Sequence, residues 1–139
     1  MKFSIATVAM PNVPQVAAFA EVAEALLYGL RELGHESAIT GGKLFERTNN
    51  ILFGSQLMSP QVAIYPQTIL INLEPLENNP YLPPQYFERL RSHTVWDYSA
   101  ANVRLLREAG ATRVFHLPMG YVPQLTRIRP QPRDVDVLF

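Results

Sequence analysis

Carboxylate side chains follow two predicted strands in the second half of the chain. Glu74 comes directly after the apolar run 68–73, and Asp97 lies near the end of the run 94–98. A carboxylate at the end of a strand can accept a proton from a substrate hydroxyl, or orient that hydroxyl. Glu74 and Asp97 are therefore the candidate catalytic residues.

Each candidate also has a structural interpretation. The Asp97 carboxylate is well placed to accept hydrogen bonds from backbone amides near Ser99, as loop aspartates often do. Ser99 is the expected N-cap of the helix that follows, although the amides of that cap could also receive an anionic group. Tyr121 is placed either to line a cleft or to pack a linker, and Gly120 permits a sharp turn. The candidate substrate-binding residues are Asn12, Ser99, Asn102, Gly120 and Tyr121.

Apolar runs alternate with amphipathic stretches along the chain. Strands are predicted at 3–9, 37–40, 50–54, 68–73, 94–98 and 114–117. Helices are predicted over 16–33, through Tyr86 and Leu90, and from the Ser99 cap to Gly110. This alternation predicts an α/β fold, a Rossmann-like three-layer sandwich with a mainly parallel sheet. Ligands bind at the carboxyl ends of the strands in such sheets, where the candidate residues lie.

Composition fits a globular domain and excludes several classes of protein. Of the 139 residues 47% are hydrophobic, and twelve basic side chains balance twelve acidic ones. No Lys/Arg block suggests nucleic acid as a partner. The absence of cysteine excludes disulfides and thiolate zinc sites, and the histidines lack metal-ligand spacing, so neither a metal nor a cofactor is expected. No stretch is long and apolar enough to span a bilayer, and the cytoplasm is the expected location.

The last twenty residues differ in character from the rest. Three prolines mark 122–133 as an extended linker, and 134–139 has the pattern of a new strand. We therefore expect a first domain over 1–121, a linker, and the first strand of a second domain that is missing from this chain.

Two separated segments resemble the amino-terminal half of GT-B fold glycosyltransferases, which use nucleotide sugars. One is the leucine-rich run 26–36, closed by Gly-His-Glu. The other is 95–121, where a Pro-Met-Gly-Tyr loop from Pro118 resembles the Pro-Asn-Gly-Val-Asp loop of that family. The string from 73 to 99 is similar to a bacterial subgroup of these enzymes. The sequence departs from the family in two places. The loop after the first strand reads Met-Pro-Asn-Val from Met10 to Val13 where the family is glycine-rich, and Met119 and Val122 replace the usual Asn and Asp.

The resemblance implies an acceptor-side domain. In the whole enzyme a second domain would hold the nucleotide-sugar donor, so this chain alone is expected to be inactive. The acceptor that this domain would bind is not identified by the sequence. Two alternatives stay open from the residues. One is a free-standing flavodoxin-like binding or signalling module, and the other is a non-catalytic assembly domain that forms a homo-oligomer through the tail 134–139.

Overall fold

The computed structural model describes residues 1–8 and 18–127. Six strands and three α-helices lie within these ranges. The strands are β1 (Lys2–Thr7), β2 (Glu36–Ile39), β3 (Asn49–Phe53), β4 (Ile69–Asn72), β5 (Thr94–Asp97) and β6 (Val114–His116). The helices are α1 (Ala18–Glu32), α2 (Pro84–Ser92) and α3 (Ala100–Glu108), and short 3₁₀ turns cover Ser55–Leu57 and Pro123–Leu125. Asn12 and the predicted strand 134–139 lie outside the described residues.

The six strands form one sheet in the order β2-β1-β3-β4-β5-β6. All neighbouring strands are parallel, which confirms the predicted α/β fold with its parallel sheet. The chain passes from β1 to β2 on one side and then crosses back over β1 to reach β3. The direction of winding therefore changes between β1 and β3, and a sheet of this kind binds ligands outside the strand ends near such a change.

Helix α1 covers one face of the sheet. Its buried residues Phe19, Ala23 and Leu30 pack in one cluster with Ile5 of β1 and Ile51 of β3. These helix positions are four and seven residues apart, so they share one side of the helix. The apolar stripe predicted from the sequence is therefore the surface that α1 buries.

The end of α1 follows its sequence signal closely. Gly34, with φ of 78°, donates its N–H to the carbonyl of Arg31, and His35 donates to the carbonyl of Leu30. This pair of bonds satisfies two carbonyls of the last helical turn. The Gly-His step therefore ends the helix that the sequence predicts over 16–33.

Helices α2 and α3 cover the opposite face of the sheet. Leu90 of α2 and Leu106 of α3 are fully buried, in a cluster that contains Leu70 of β4 and Val95 of β5. Neighbouring residues of a strand point to opposite faces. Each central strand therefore contributes to both apolar clusters, which gives the three layers α1, sheet, and α2 with α3.

Helix α1 covers only part of its face of the sheet. Phe53, Ile71, Trp96 and Phe115 lie side by side across β3, β4, β5 and β6. Phe53 and Ile71 are buried beneath α1, Trp96 is partly buried, and Phe115 is 54% exposed. The apolar surface of this face therefore extends beyond the helix that covers it.

Candidate functional site

The carboxyl ends of β4 and β5 bring four predicted site residues together. Asp97 ends β5, Glu74 follows β4, and Ser99 and Asn102 form the start of α3. The Asn102 side chain donates to the carbonyl of Glu74 at 2.9 Å and to the Asp97 carboxylate at 3.2 Å. The sequence-predicted residues of this edge are thus one hydrogen-bonded cluster.

Asp97 is completely buried in this cluster. Its carboxylate accepts hydrogen bonds from the Asn72 side chain at 2.6 Å, from the backbone N–H of Ser99 at 2.8 Å, and from Asn102. Burial raises the pKa of the Asp97 carboxyl, and these three donors oppose that rise. The predicted contact with the amide of Ser99 is present, and the geometry gives Asp97 a structural task, while its catalytic role stays a prediction.

Ser99 caps α3. Its side-chain oxygen accepts from the backbone N–H of Asn102 at 3.3 Å, which satisfies one of the unpaired amides of the first turn. Asn102 in turn accepts from the backbone N–H of Leu76. The cap interpretation of Ser99 is confirmed, and its contact with a substrate stays a prediction.

Two members of the cluster carry no signal in the sequence. Asn72 pairs with Asp97 across β4 and β5, and the hydroxyl of Tyr86, from α2, donates to Asn72 at 2.7 Å. Burial raises the pKa of the Tyr86 hydroxyl well above its usual range, so it remains a neutral donor. Contacts between separate elements of this kind depend on strand register and helix docking, which no local pattern specifies.

Glu74 is the more accessible of the two candidate carboxylates. Its side chain is partly buried, and one carboxylate oxygen accepts from the Gln56 side chain at 2.8 Å. Gln56 belongs to the 3₁₀ turn that follows β3. Glu74 therefore faces the strand ends between β3 and β4, where solvent reaches it.

A cavity of about 150 Å³ opens on the α1 side of the same edge. Its wall consists of α1, the ends of β4 and β5, and the segment after β6. The lining residues are Val22, Ala25, Leu26, Ile71, Leu73, Trp96, Tyr98, Leu117, Pro118, Met119, Gly120 and Val122. We call this cavity the α1 pocket. None of its lining residues carries a charge, so it offers an apolar surface.

The α1 pocket includes one predicted site residue, Gly120. Tyr121 is 81% exposed, and its hydroxyl lies 3.1 Å from that of Thr126, so it contacts the segment that follows. That segment lies along α1, where Gln124 donates to Glu32 and Arg127 pairs with Glu24. Asn12 falls outside the described residues, and its predicted contact with a substrate stays a prediction.

Trp96 and the α1 pocket are not among the functional features that the sequence predicts. Strand alternation offered a signal, because Trp96 and Tyr98 must face away from Val95 and Asp97. The alternation alone does not show that α1 stops short of this part of the sheet. The pocket therefore depends on how far a single helix reaches across the sheet.

Three general findings complete the description. Among residues 1–8 and 18–127, no three His, Asp or Glu side chains are grouped as metal ligands. In the same ranges, no helix has the length and apolarity needed to cross a membrane. No protein-family model, curated protein or solved structure matches the chain.

Proposed function

We propose that this chain is the acceptor-side domain of a nucleotide-sugar-dependent glycosyltransferase. The observation that carries the proposal is the α1 pocket, which lies at the carboxyl edge of a parallel sheet and is bordered by the loop 117–122. A parallel sheet uses this edge for ligands. The same loop contains the Pro-Met-Gly-Tyr sequence that resembles the family loop, so the fold and the resemblance point to one region.

In this proposal the residues of the edge have separate tasks. Glu74 is the carboxylate that solvent reaches, and it would orient an acceptor hydroxyl or accept its proton. Asp97, Asn72 and Asn102 would hold the backbone of the surrounding loops in place. The nucleotide-sugar donor would bind mainly to a second domain, so transfer of the sugar would require that domain.

The first test reads the coding sequence beyond the codon for Phe139. We expect it to encode a second αβ domain, or a neighbouring gene to supply one. The complete protein is then assayed for release of a nucleoside diphosphate from UDP-, GDP- and dTDP-sugars in the presence of a glycoside acceptor mixture. Release that depends on the acceptor supports the proposal. A stop codon at this point with no neighbouring second domain contradicts it.

Glu74→Gln in the complete protein tests the role of the carboxylate, and Glu77→Gln, a few residues away on an exposed turn, is its control. Loss of a general base or orienting group lowers turnover by about 10²–10⁴-fold. Equal turnover in both variants would show that Glu74 has no part in the chemistry.

A flavodoxin-like binding module is the second candidate, because the strand order favours it. The first five strands have the order 2-1-3-4-5, which in flavodoxin-like sheets places the flavin at the change of direction between β1 and β3. Titration of the chain with FMN, followed by flavin fluorescence, separates the candidates. Tight and saturable binding of FMN favours the flavodoxin-like module, whereas its absence favours the acceptor-side domain.

A further inference from the structure

The wall of the α1 pocket selects against charge. Its twelve lining residues are apolar apart from the hydroxyl of Tyr98 and the indole N–H of Trp96. A charged ligand would lose its hydration here without gaining an ionic partner, which is costly. A group that fills this space must therefore be uncharged.

The pocket also limits the size of its ligand. A cavity of about 150 Å³ lined by aliphatic and aromatic side chains accommodates a body of roughly the size of benzene. The ring of Trp96 lies on the sheet side, and Ala25 of α1 contributes only a methyl group on the opposite side. The small side chain at position 25 helps to leave room for the ligand.

The mouth of the pocket remains accessible to solvent. Met119 is 55% exposed and Leu117 is 36% exposed. Both belong to the segment after β6, at the carboxyl edge of the sheet. A ligand that inserts an apolar group here can keep a polar part at that edge.

We propose that the α1 pocket binds the uncharged apolar portion of an amphipathic acceptor, either a single ring or an alkyl chain of about six carbons. The word acceptor rests on the function proposed above, whereas the preference for a neutral apolar group rests on the pocket alone. The acceptor class is thus a glycoside with an apolar aglycone, or an alcohol with an apolar chain. An entirely polar sugar does not fit this class.

The chain contains a single tryptophan, and that residue lines the pocket. Titration of the 139-residue chain with hexyl β-glucoside, followed by Trp96 emission, therefore reports binding directly. We expect a saturable change, with methyl β-glucoside binding roughly tenfold more weakly or worse, because each buried methylene adds to the affinity.

A matched pair of variants locates the binding. Ala25→Leu fills the pocket, whereas Ala20→Leu adds the same side chain on an exposed position of the same helix. We expect Ala25→Leu to weaken binding of hexyl β-glucoside at least tenfold and Ala20→Leu to leave it unchanged. Met119→Glu is the second variant if Ala25→Leu does not fold, since it adds a charge at the exposed mouth and should weaken binding similarly.

Several outcomes overturn the proposal. Equal affinities for the hexyl and methyl glucosides would show that the aglycone has no site. If Trp96 emission changed with protein concentration but did not respond to either glucoside, a second copy of the chain would occupy the pocket. If Trp96 emission stayed constant at every protein concentration and acrylamide did not quench it, another segment of the same chain would occupy the pocket.

The outcome for the pocket is independent of the outcome for the function. If hexyl β-glucoside binds but the complete protein consumes no nucleotide sugar, the pocket stands and the transferase proposal fails. If transfer occurs at the same rate to hexyl and methyl glucosides, and Ala25→Leu leaves that rate unchanged, the transferase proposal stands and the pocket assignment fails.

Discussion

Asn72 connects three elements at the carboxyl edge of the sheet. Its amide group donates to the Asp97 carboxylate and to the carbonyl of Glu74, and its oxygen accepts from the backbone N–H of Glu74 and from the hydroxyl of Tyr86. A fully buried amide that makes these contacts fixes β4, β5 and α2 relative to one another. Buried polar groups that have all their partners give a unique arrangement, and loss of one partner is costly.

The hydroxyl of Tyr86 provides a measurable test of this cluster. Tyr86→Phe removes the donor to Asn72 and keeps the ring, so we expect the free energy of unfolding to fall by about 1 kcal/mol. Tyr81→Phe is the matched control, because the Tyr81 side chain is 91% exposed, and it should change stability by less than about 0.5 kcal/mol. Urea unfolding followed by circular dichroism measures both. Equal effects would show that the buried hydrogen bond contributes nothing.

At the residue scale the sequence predicts part of this cluster and misses the rest. Asp97, Ser99 and Asn102 are close in the chain, so a strand end followed by a helix cap already brings them together. Asn72 and Tyr86 join them through the pairing of β4 with β5 and the docking of α2. Those contacts depend on tertiary register, which the local pattern does not contain.

At the element scale, the turn after β3 requires a glycine. Gly54 has φ of 76°, and a Cβ atom there would lie 3.2 Å from Phe19 Cε2 and from Val8 Cβ. The turn therefore brings the start of α1 close to the ends of β1 and β3. These strand ends flank the change in winding direction, so close packing here sets the shape of the carboxyl edge.

Gly54→Ala should destabilise the chain by about 1–2 kcal/mol, because alanine disfavours positive φ and its methyl group would meet Phe19 and Val8. Gly29→Ala is the contrasting change. Gly29 lies inside α1 with no atom within 4 Å of the added methyl, so alanine should stabilise the helix by about 0.5–1 kcal/mol. Thermal unfolding of the two variants should shift in opposite directions, and a shift in the same direction would contradict this account.

The elements themselves were predictable from the sequence, and their arrangement was not. All six predicted strands within the described residues are present, because short β-branched and apolar runs bounded by Gly and Pro identify buried strands. The crossing from β2 to β3 contains no helix, and only the folded structure shows that it passes over β1. The α1 pocket has the same origin, since it depends on the uneven cover of one face.

At the scale of the whole molecule, the two apolar clusters share the same strands. Leu52 and Leu70 face α2 and α3, whereas their neighbours Phe53 and Ile71 face α1. Loss of either cluster therefore removes the support of strands that the other cluster needs. This arrangement favours a single cooperative unfolding transition, as is usual for domains of this size.

Leu52→Ala tests this coupling. Leu52 is 1% exposed on the face opposite Trp96, and truncation of a buried leucine costs about 2–5 kcal/mol. We expect Trp96 emission and circular dichroism to report the same lowered urea midpoint, although the change lies on the other side of the sheet from the tryptophan. Leu33→Ala, at a position that is 74% exposed, is the matched control and should leave the midpoint nearly unchanged. If Leu52→Ala moved the dichroism midpoint and left the Trp96 midpoint in place, the two faces would unfold separately and the α1 pocket would be stable without the core beneath α2 and α3.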